Sequence, residues 1–234
     1  MPLHWLNFSL RALVLAPALA YHAAAQQKGP SKTPDAEQTW SGQGLVDLAA
    51  ACPTIQIELR YATARNMTGK PIYPANARCL ILPSVAQRLN HAEDELHAKG
   101  FSLKIWDAYR PAWAQKILWK TKPNAEFLQP PGQTPSMHTR GMAVDATLVD
   151  LQGRAVEMPT DFDDFSANAT MYYSGGDSKI ARNLRTLQTA MGHAGFYGMH
   201  NEWWHFVAQD FASSKPIETS LKPKKTPSRH APGL

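Results

Sequence analysis

The sequence predicts an α+β fold: a single domain in which a central, mainly antiparallel sheet is packed with helices. Three observations carry that reading. Segments that alternate apolar and polar residues are interleaved with two or three segments of helical period. The regular Gly-rich β-α turns of a nucleotide-binding fold are missing between them. At 234 residues and 44% hydrophobic content, the chain can bury one sizeable core but hardly two.

Taken in order, "TIQIELRYA" places Ile55, Ile57, Leu59 and Tyr61 on one face and reads as a strand. Ser84 is expected to cap the helix "SVAQRLNHAEDELHAKG", where Val85, Leu89, Ala92 and Leu96 form the apolar stripe and Gly100 ends it. "FSLKIWD" is a second strand, with Phe101, Leu103 and Ile105 alternating. It runs into "AYRPAWAQKILWK", where Pro111 suits the first turn of a helix and leaves Arg110 at a strand-to-helix junction. "GMAVDATLV" is a third strand. "SKIARNLRTLQTAMGHAGF" is a further helix, with Ser178 as cap and Gly195 as stop, and "WHFVA" is the last strand.

The two ends have a different character. Residues 1–25 combine Arg11, an apolar run over 12–20 and a closing Ala-Ala-Ala, the pattern of a signal peptide. That run is too short to span a bilayer and contains Pro17, so no integral membrane anchor is expected. Residues 26–43 have linker composition, the folded domain is expected over 44–211, and 212–234 read as a disordered, basic Pro/Lys-rich tail. The expected setting is therefore exported and periplasmic, an oxidising compartment in which Cys52 and Cys79 allow one disulfide or remain two thiols.

The net charge of +5 is confined to those ends. Of 24 basic and 19 acidic residues, the tail holds five and one and the leader holds Arg11, which leaves 18 of each between them. A neutral body excludes a nucleic-acid footprint. The tail would at most attract anionic envelope polymers weakly.

The chemistry-bearing stretches are "SMHTRGMAVD" and "NEWWHF". Strand alternation puts Met142, Val144, Ala146 and Leu148 on one face, and Asp145 on the other between the small residues Ala143 and Thr147. His138 precedes the Gly141 bend, which can fold it over the same face. Glu202 and His205 are three apart, so both reach one point only if Glu202 lies in a bend ahead of the strand; Gly195, Gly198 and Asn201 favour such a bend. His138, Asp145 and His205 would make the three protein ligands of a catalytic zinc. Glu202 suits a general base and Arg110 an oxyanion partner. Each half is a weak motif alone, and ordinary surface or hydrogen-bonded residues remain the competing reading. His91, His97 and His193 are expected to be solvated, His200 is the rival ligand, and Trp203 and Trp204 are expected to be core and cleft wall.

Five stretches in order, "LRYATARNMTGKPIY", "WDAYRP", "SMHTRGMAVDATL", "EMPTDFD" and "AGFYGMHNEWWHF", give the chain a resemblance to the D-alanyl-D-alanine dipeptidases of the VanX type. These belong to the zinc D,D-peptidases that share a fold with VanY-type carboxypeptidases and hedgehog-like domains. The resemblance covers about residues 45–210. It implies one Zn²⁺ per chain held by His138, Asp145 and His205, Glu202 as catalytic base and Arg110 as transition-state stabiliser. It also implies that Tyr61, Ser136 and Asp163 line the substrate pocket, Asp163 meeting an ammonium and Ser136 a carboxylate. Pro159 stands where the family commonly has glycine, so the loop that carries Asp163 is expected to differ in path.

The expected activity is hydrolysis of the small dipeptide D-Ala-D-Ala in cell-wall turnover or scavenging. The alternatives are a D,D-carboxypeptidase acting on peptidoglycan stems and a non-catalytic, zinc-containing wall-binding module.

Overall fold

The computed structural model describes residues 44–132 and 134–222. The leader, the linker and the end of the tail, whose signal-peptide, linker and disorder readings are given above, lie outside the described residues. A two-stranded ladder pairs β1 (Val46–Asp47) with β3 (Leu80–Ile81), and β1 leads straight into the short helix α1 (Leu48–Ala51). The main sheet comprises β2 (Gln56–Ile57), β4 (Phe101–Asp107), β5 (Ala143–Asp150), β6 (Phe196–Met199) and β7 (Glu202–Ala208). Their order is β2-β4-β5-β7-β6; the β2–β4 pair is parallel and the other three are antiparallel. The longer helices are α2 (Pro83–His97), α3 (Ala112–Thr121) and α4 (Ser178–His193). The architecture is α+β, a mainly antiparallel sheet packed with helices.

α2 and α4 pack on each other and on the sheet, α2 against β4 and α4 against β5 and β6. Their apolar stripes explain the docking: Val85, Leu89, Ala92 and Leu96 of α2 and Leu184, Leu187 and Met191 of α4 are buried. One polar group joins this interface. Glu93 is buried; it accepts from Ser102 Oγ at 2.6 Å and from the Leu103 N–H at 2.7 Å. A buried carboxylate with two such donors fixes α2 on β4.

Local signals placed the elements but missed the caps of α2 and α4 by two residues and one residue. α2 starts at Pro83 with Leu82 as cap, because proline suits the first helical position and has no N–H to satisfy, so Ser84 lies inside the first turn. Asp177 rather than Ser178 caps α4, its carboxylate accepting from the N–H groups of Lys179 and Ile180. Pro111 is the cap of α3. "TIQIELRYA" pairs only at Gln56–Ile57 and then turns into a 3₁₀ helix over Arg60–Ala62, although Ile55, Leu59 and Tyr61 still face the core. Cys52 and Cys79 are buried free thiols, and burial pushes the Cys52 thiol up to about 12.

The boundary expected at 212 needs correction. Residues 214–222 return over the domain: the Ile217 N–H donates to the Thr139 carbonyl at 2.9 Å, Tyr109 Oη donates to the Ile217 carbonyl at 2.7 Å, and Ile217 and Leu221 are buried. Two apolar residues in a Lys/Ser-rich stretch escaped the composition argument, yet they suffice to dock it. No helix among the described residues is long and apolar enough to cross a membrane.

Gly141 shows how tightly the region behind the candidate site is built. Its φ is +69°, and a Cβ there would lie 2.9 Å from Leu45 Cδ2 and 3.3 Å from Leu82 Cγ. The left-handed backbone costs a non-glycine residue about 1–2 kcal/mol, and overpacking adds about 1–3 kcal/mol. Gly141→Ala is therefore expected to destabilise the domain by about 2–5 kcal/mol in a urea titration.

Candidate metal centre and active-site pocket

The centre is assembled by register. Asp145 on β5 is the cross-strand partner of His205 on β7, and Asp107 on β4 is the partner of Asp145 on its other side. These three residues form one row across the middle of the sheet. A register shift between Ile105 and Asp107 makes this row, since strict alternation from Ile105 would have set Asp107 on the opposite face. His138 opens a 3₁₀ turn over His138–Arg140 that ends at Gly141, and this turn carries it over the row.

The contacts are close. His205 Nδ1 lies 3.0 Å and His138 Nε2 3.4 Å from Asp145 Oδ1, and the two imidazole nitrogens are 3.1 Å apart. All three ligand atoms lie within 4.8 Å of one another, and all three residues are buried. His138 Nδ1 donates to the Ala108 carbonyl at 2.7 Å. That bond places an N–H at Nδ1 and turns Nε2 toward the cluster. Burial opposes ionisation of Asp145, but His138 and His205 outweigh it and hold the carboxyl below its ordinary range. Burial lowers His205, which favours its neutral, ligating form. Two imidazole nitrogens and a carboxylate converging on one buried point fit a divalent cation, which would displace the protons between them, and this donor set is one that zinc accepts.

Arg110 stands beside the cluster. Nε donates to Asp107 Oδ2 at 2.8 Å, Nη2 to Asp145 Oδ2 at 3.2 Å and Nη1 to Gln115 Oε1 at 3.0 Å. Tyr73 Oη donates to the other Asp107 oxygen at 2.9 Å. Glu202 is the first residue of β7, next to a register shift between Gly198 and Met199, and that irregularity lets it share a pocket with His205. Its Oε2 lies 3.8 Å from His205 Nδ1. Burial, and after it the Asp145 charge, push the Glu202 carboxyl well above its ordinary range.

The cluster opens on a cavity of about 250 Å³ lined by Tyr61, Arg110, Ser136, His138, Asp145, Asp163, Glu202 and His205 among others. That is smaller than the ~300–1,000 Å³ pockets of drug-sized ligands. Asp163 has a φ of +59°, the one positive value for a non-glycine among the described residues. Its carboxylate accepts from Tyr61 Oη at 3.2 Å and from the Met67 N–H at 2.9 Å. Burial pushes it up to about 7. The loop bearing Pro159 thus still delivers Asp163 to the cavity. Ser136 Oγ accepts from the His138 N–H at 3.3 Å, which leaves its own proton free to donate.

All eight residues singled out from the sequence line this one cavity. His200 does not: it is exposed, with its ring edge-on to Tyr172 at 5.4 Å. His97 and His193 are exposed but paired, with Glu93 at 3.0 Å and Glu95 at 2.9 Å. Trp203 and Trp204 are core, the former 5.7 Å from Trp106 and hydrogen-bonded to Thr160 Oγ1. Sequence reasoning missed Asp107, Tyr73 and Gln115. The i,i+3 spacing of Asp107 and Arg110 was a usable signal for the first, and no local signal points to the other two.

The sheet and its centre define a class: an α+β protein whose buried His-Asp-His cluster, flanked by a carboxylate and an arginine, is a donor set that could hold a metal ion. A family model described as D-ala-D-ala dipeptidase, Peptidase M15, matches residues 41–222. The chain belongs to that family. The D-alanyl-D-alanine dipeptidase of Escherichia coli (strain K12) is 38% identical over 169 residues, 72% of this chain and 86% of that one. The enzyme of the same name from Enterococcus faecium is 30% identical over 176 residues, 67% of this chain and 87% of its own. Among solved structures, VanYB in complex with D-Alanine-D-Alanine aligns with 18% identity and a TM-score of 0.36, over 55% of this chain and 71% of that one.

Proposed function

We propose that this protein is a zinc-dependent D-alanyl-D-alanine dipeptidase that hydrolyses D-Ala-D-Ala to two molecules of D-alanine, with one Zn²⁺ per chain held by His138, Asp145 and His205. The observation that carries this reading is the buried His-Asp-His cluster opening, with Glu202 and Arg110, onto a small cavity in a member of this family. When bound there, zinc supplies Lewis acidity: it polarises a peptide carbonyl and makes water ionise near pH ~7. Every other role falls to the chain. Glu202, free of a short hydrogen bond in the pocket, takes the proton of the attacking water and returns it to the leaving amine. Arg110, held by three partners, presents its remaining N–H groups to the developing oxyanion. Asp163 receives the substrate ammonium, Ser136 donates to the terminal carboxylate and Tyr61 forms the wall beside Asp163.

Recognition of both termini, together with the cavity size, favours a free dipeptide over the end of a long stem peptide. The apolar leader in the sequence supports export to the periplasm, and there the substrate would come from wall turnover or scavenged wall fragments. The test is D-alanine release from D-Ala-D-Ala by purified protein, before and after chelation and again after zinc is restored. Turnover that disappears with chelator and returns with zinc is expected. Release indifferent to chelator, or release only from a pentapeptide stem, would overturn the proposal.

A further inference from the structure

Arg110 is held on three sides, and its anchors differ in kind. Asp107 and Asp145 are carboxylates in the sheet row, whereas the third partner, Gln115, is a neutral amide from the first turn of α3. A guanidinium has five N–H bonds. Three are committed here, which leaves one on each Nη for the pocket. Gln115 is itself buried, and it uses both ends of its amide: Oε1 accepts from Arg110 Nη1, while Nε2 donates to the Gln129 carbonyl at 3.0 Å. The segment from Ala125 to Gln129 is a wall of the cavity. A second amide reaches the same wall, Asn201 Nδ2 donating to the Glu126 carbonyl at 3.3 Å from the position next to Glu202.

The chemistry of position 115 is restrictive. An apolar side chain would leave both Nη1 and the Gln129 carbonyl without this partner. A carboxylate would be a third anion on a guanidinium already shared by two, and could not donate to the carbonyl. An amide satisfies both groups and adds no third negative charge to the guanidinium. We propose that Gln115 is a positioning residue: it sets the angle at which Arg110 presents its free Nη hydrogens to the substrate, and it keys that angle to the placement of the Glu126–Gln129 wall.

The inference rests on the dipeptidase reading, and the experiment separates the two. D-Ala-D-Ala hydrolysis is measured for the zinc-loaded wild type, Gln115→Met, Arg110→Lys and the double variant. Gln115→Met is expected to lower kcat/KM at least ~10-fold, chiefly in kcat, with zinc content unchanged. Lysine offers no Nη1 to Gln115, so in the Arg110→Lys background the same change is expected to cost less than ~2-fold. Full wild-type turnover in Gln115→Met, or an equal loss in both backgrounds, would overturn the inference by reducing Gln115 to a packing residue. Should Gln115→Met fail to fold, Gln115→Glu keeps volume and acceptor and is expected to lose ~10-fold through the third carboxylate; unchanged turnover there sinks the idea equally. A wild type that releases no D-alanine defeats the dipeptidase reading instead.

Discussion

Glu202→Gln is expected to lower kcat on D-Ala-D-Ala by on the order of 10³-fold, in the middle of the range for removing a general acid–base. Glu202 begins β7 almost wholly buried, yet its closest ion-pair distance, to His205 Nδ1, is 3.8 Å, too long for a hydrogen bond. A carboxylate placed in that way is kept for a proton that arrives with water or substrate. Two further readouts make the prediction sharp. Zinc content should be unchanged, because Glu202 is outside the His138, Asp145 and His205 cluster. The melting temperature should equal or exceed that of wild type, because a neutral amide removes the cost of burying a weakly paired carboxylate. Retention of more than a tenth of wild-type turnover would remove Glu202 from the mechanism.

His138→Ala should abolish both metal binding and activity while leaving the domain folded. The loss of one of three ligands leaves Asp145 and His205, too few for a stable catalytic zinc site. The fold should survive because Asp145 keeps Arg110 Nη2 at 3.2 Å and His205 Nδ1 at 3.0 Å, so its charge is not stranded. Metal analysis after gel filtration, circular dichroism and D-alanine release measure the three quantities. Full zinc occupancy in the variant would exclude His138 as a ligand. The bond from its Nδ1 to the Ala108 carbonyl would then have only a structural role.

Much of this was legible along the chain because it is local. Alternation in "GMAVDATLV" separates Asp145 from Val144 and Ala146, and β5 follows that pattern with Asp145 facing the cavity. The stripes of α2 and α4 were readable for the same reason, whereas their first residues were not. Proline at the first helical position and an aspartate one residue earlier both outcompete a serine, and the three signals overlap within a few positions. The tail shows the reverse error: composition averages over a segment, and Ile217 and Leu221 act singly.

By itself the sequence determined which residues could donate to a metal, which strands and helices would carry them, and, through the ordered motifs, the family that combines them. Tertiary structure alone decided that they meet. Asp107, Asp145 and His205 come from three strands distant in sequence, and their alignment rests on cross-strand register and on a bulge that moves Asp107 to the face opposite the one its alternation implies. Gln115 became visible only when a helix side chain was seen between Arg110 and the Gln129 carbonyl. Periodicity reports the face a side chain occupies; which partner waits there is set by long-range packing, and no local pattern encodes it.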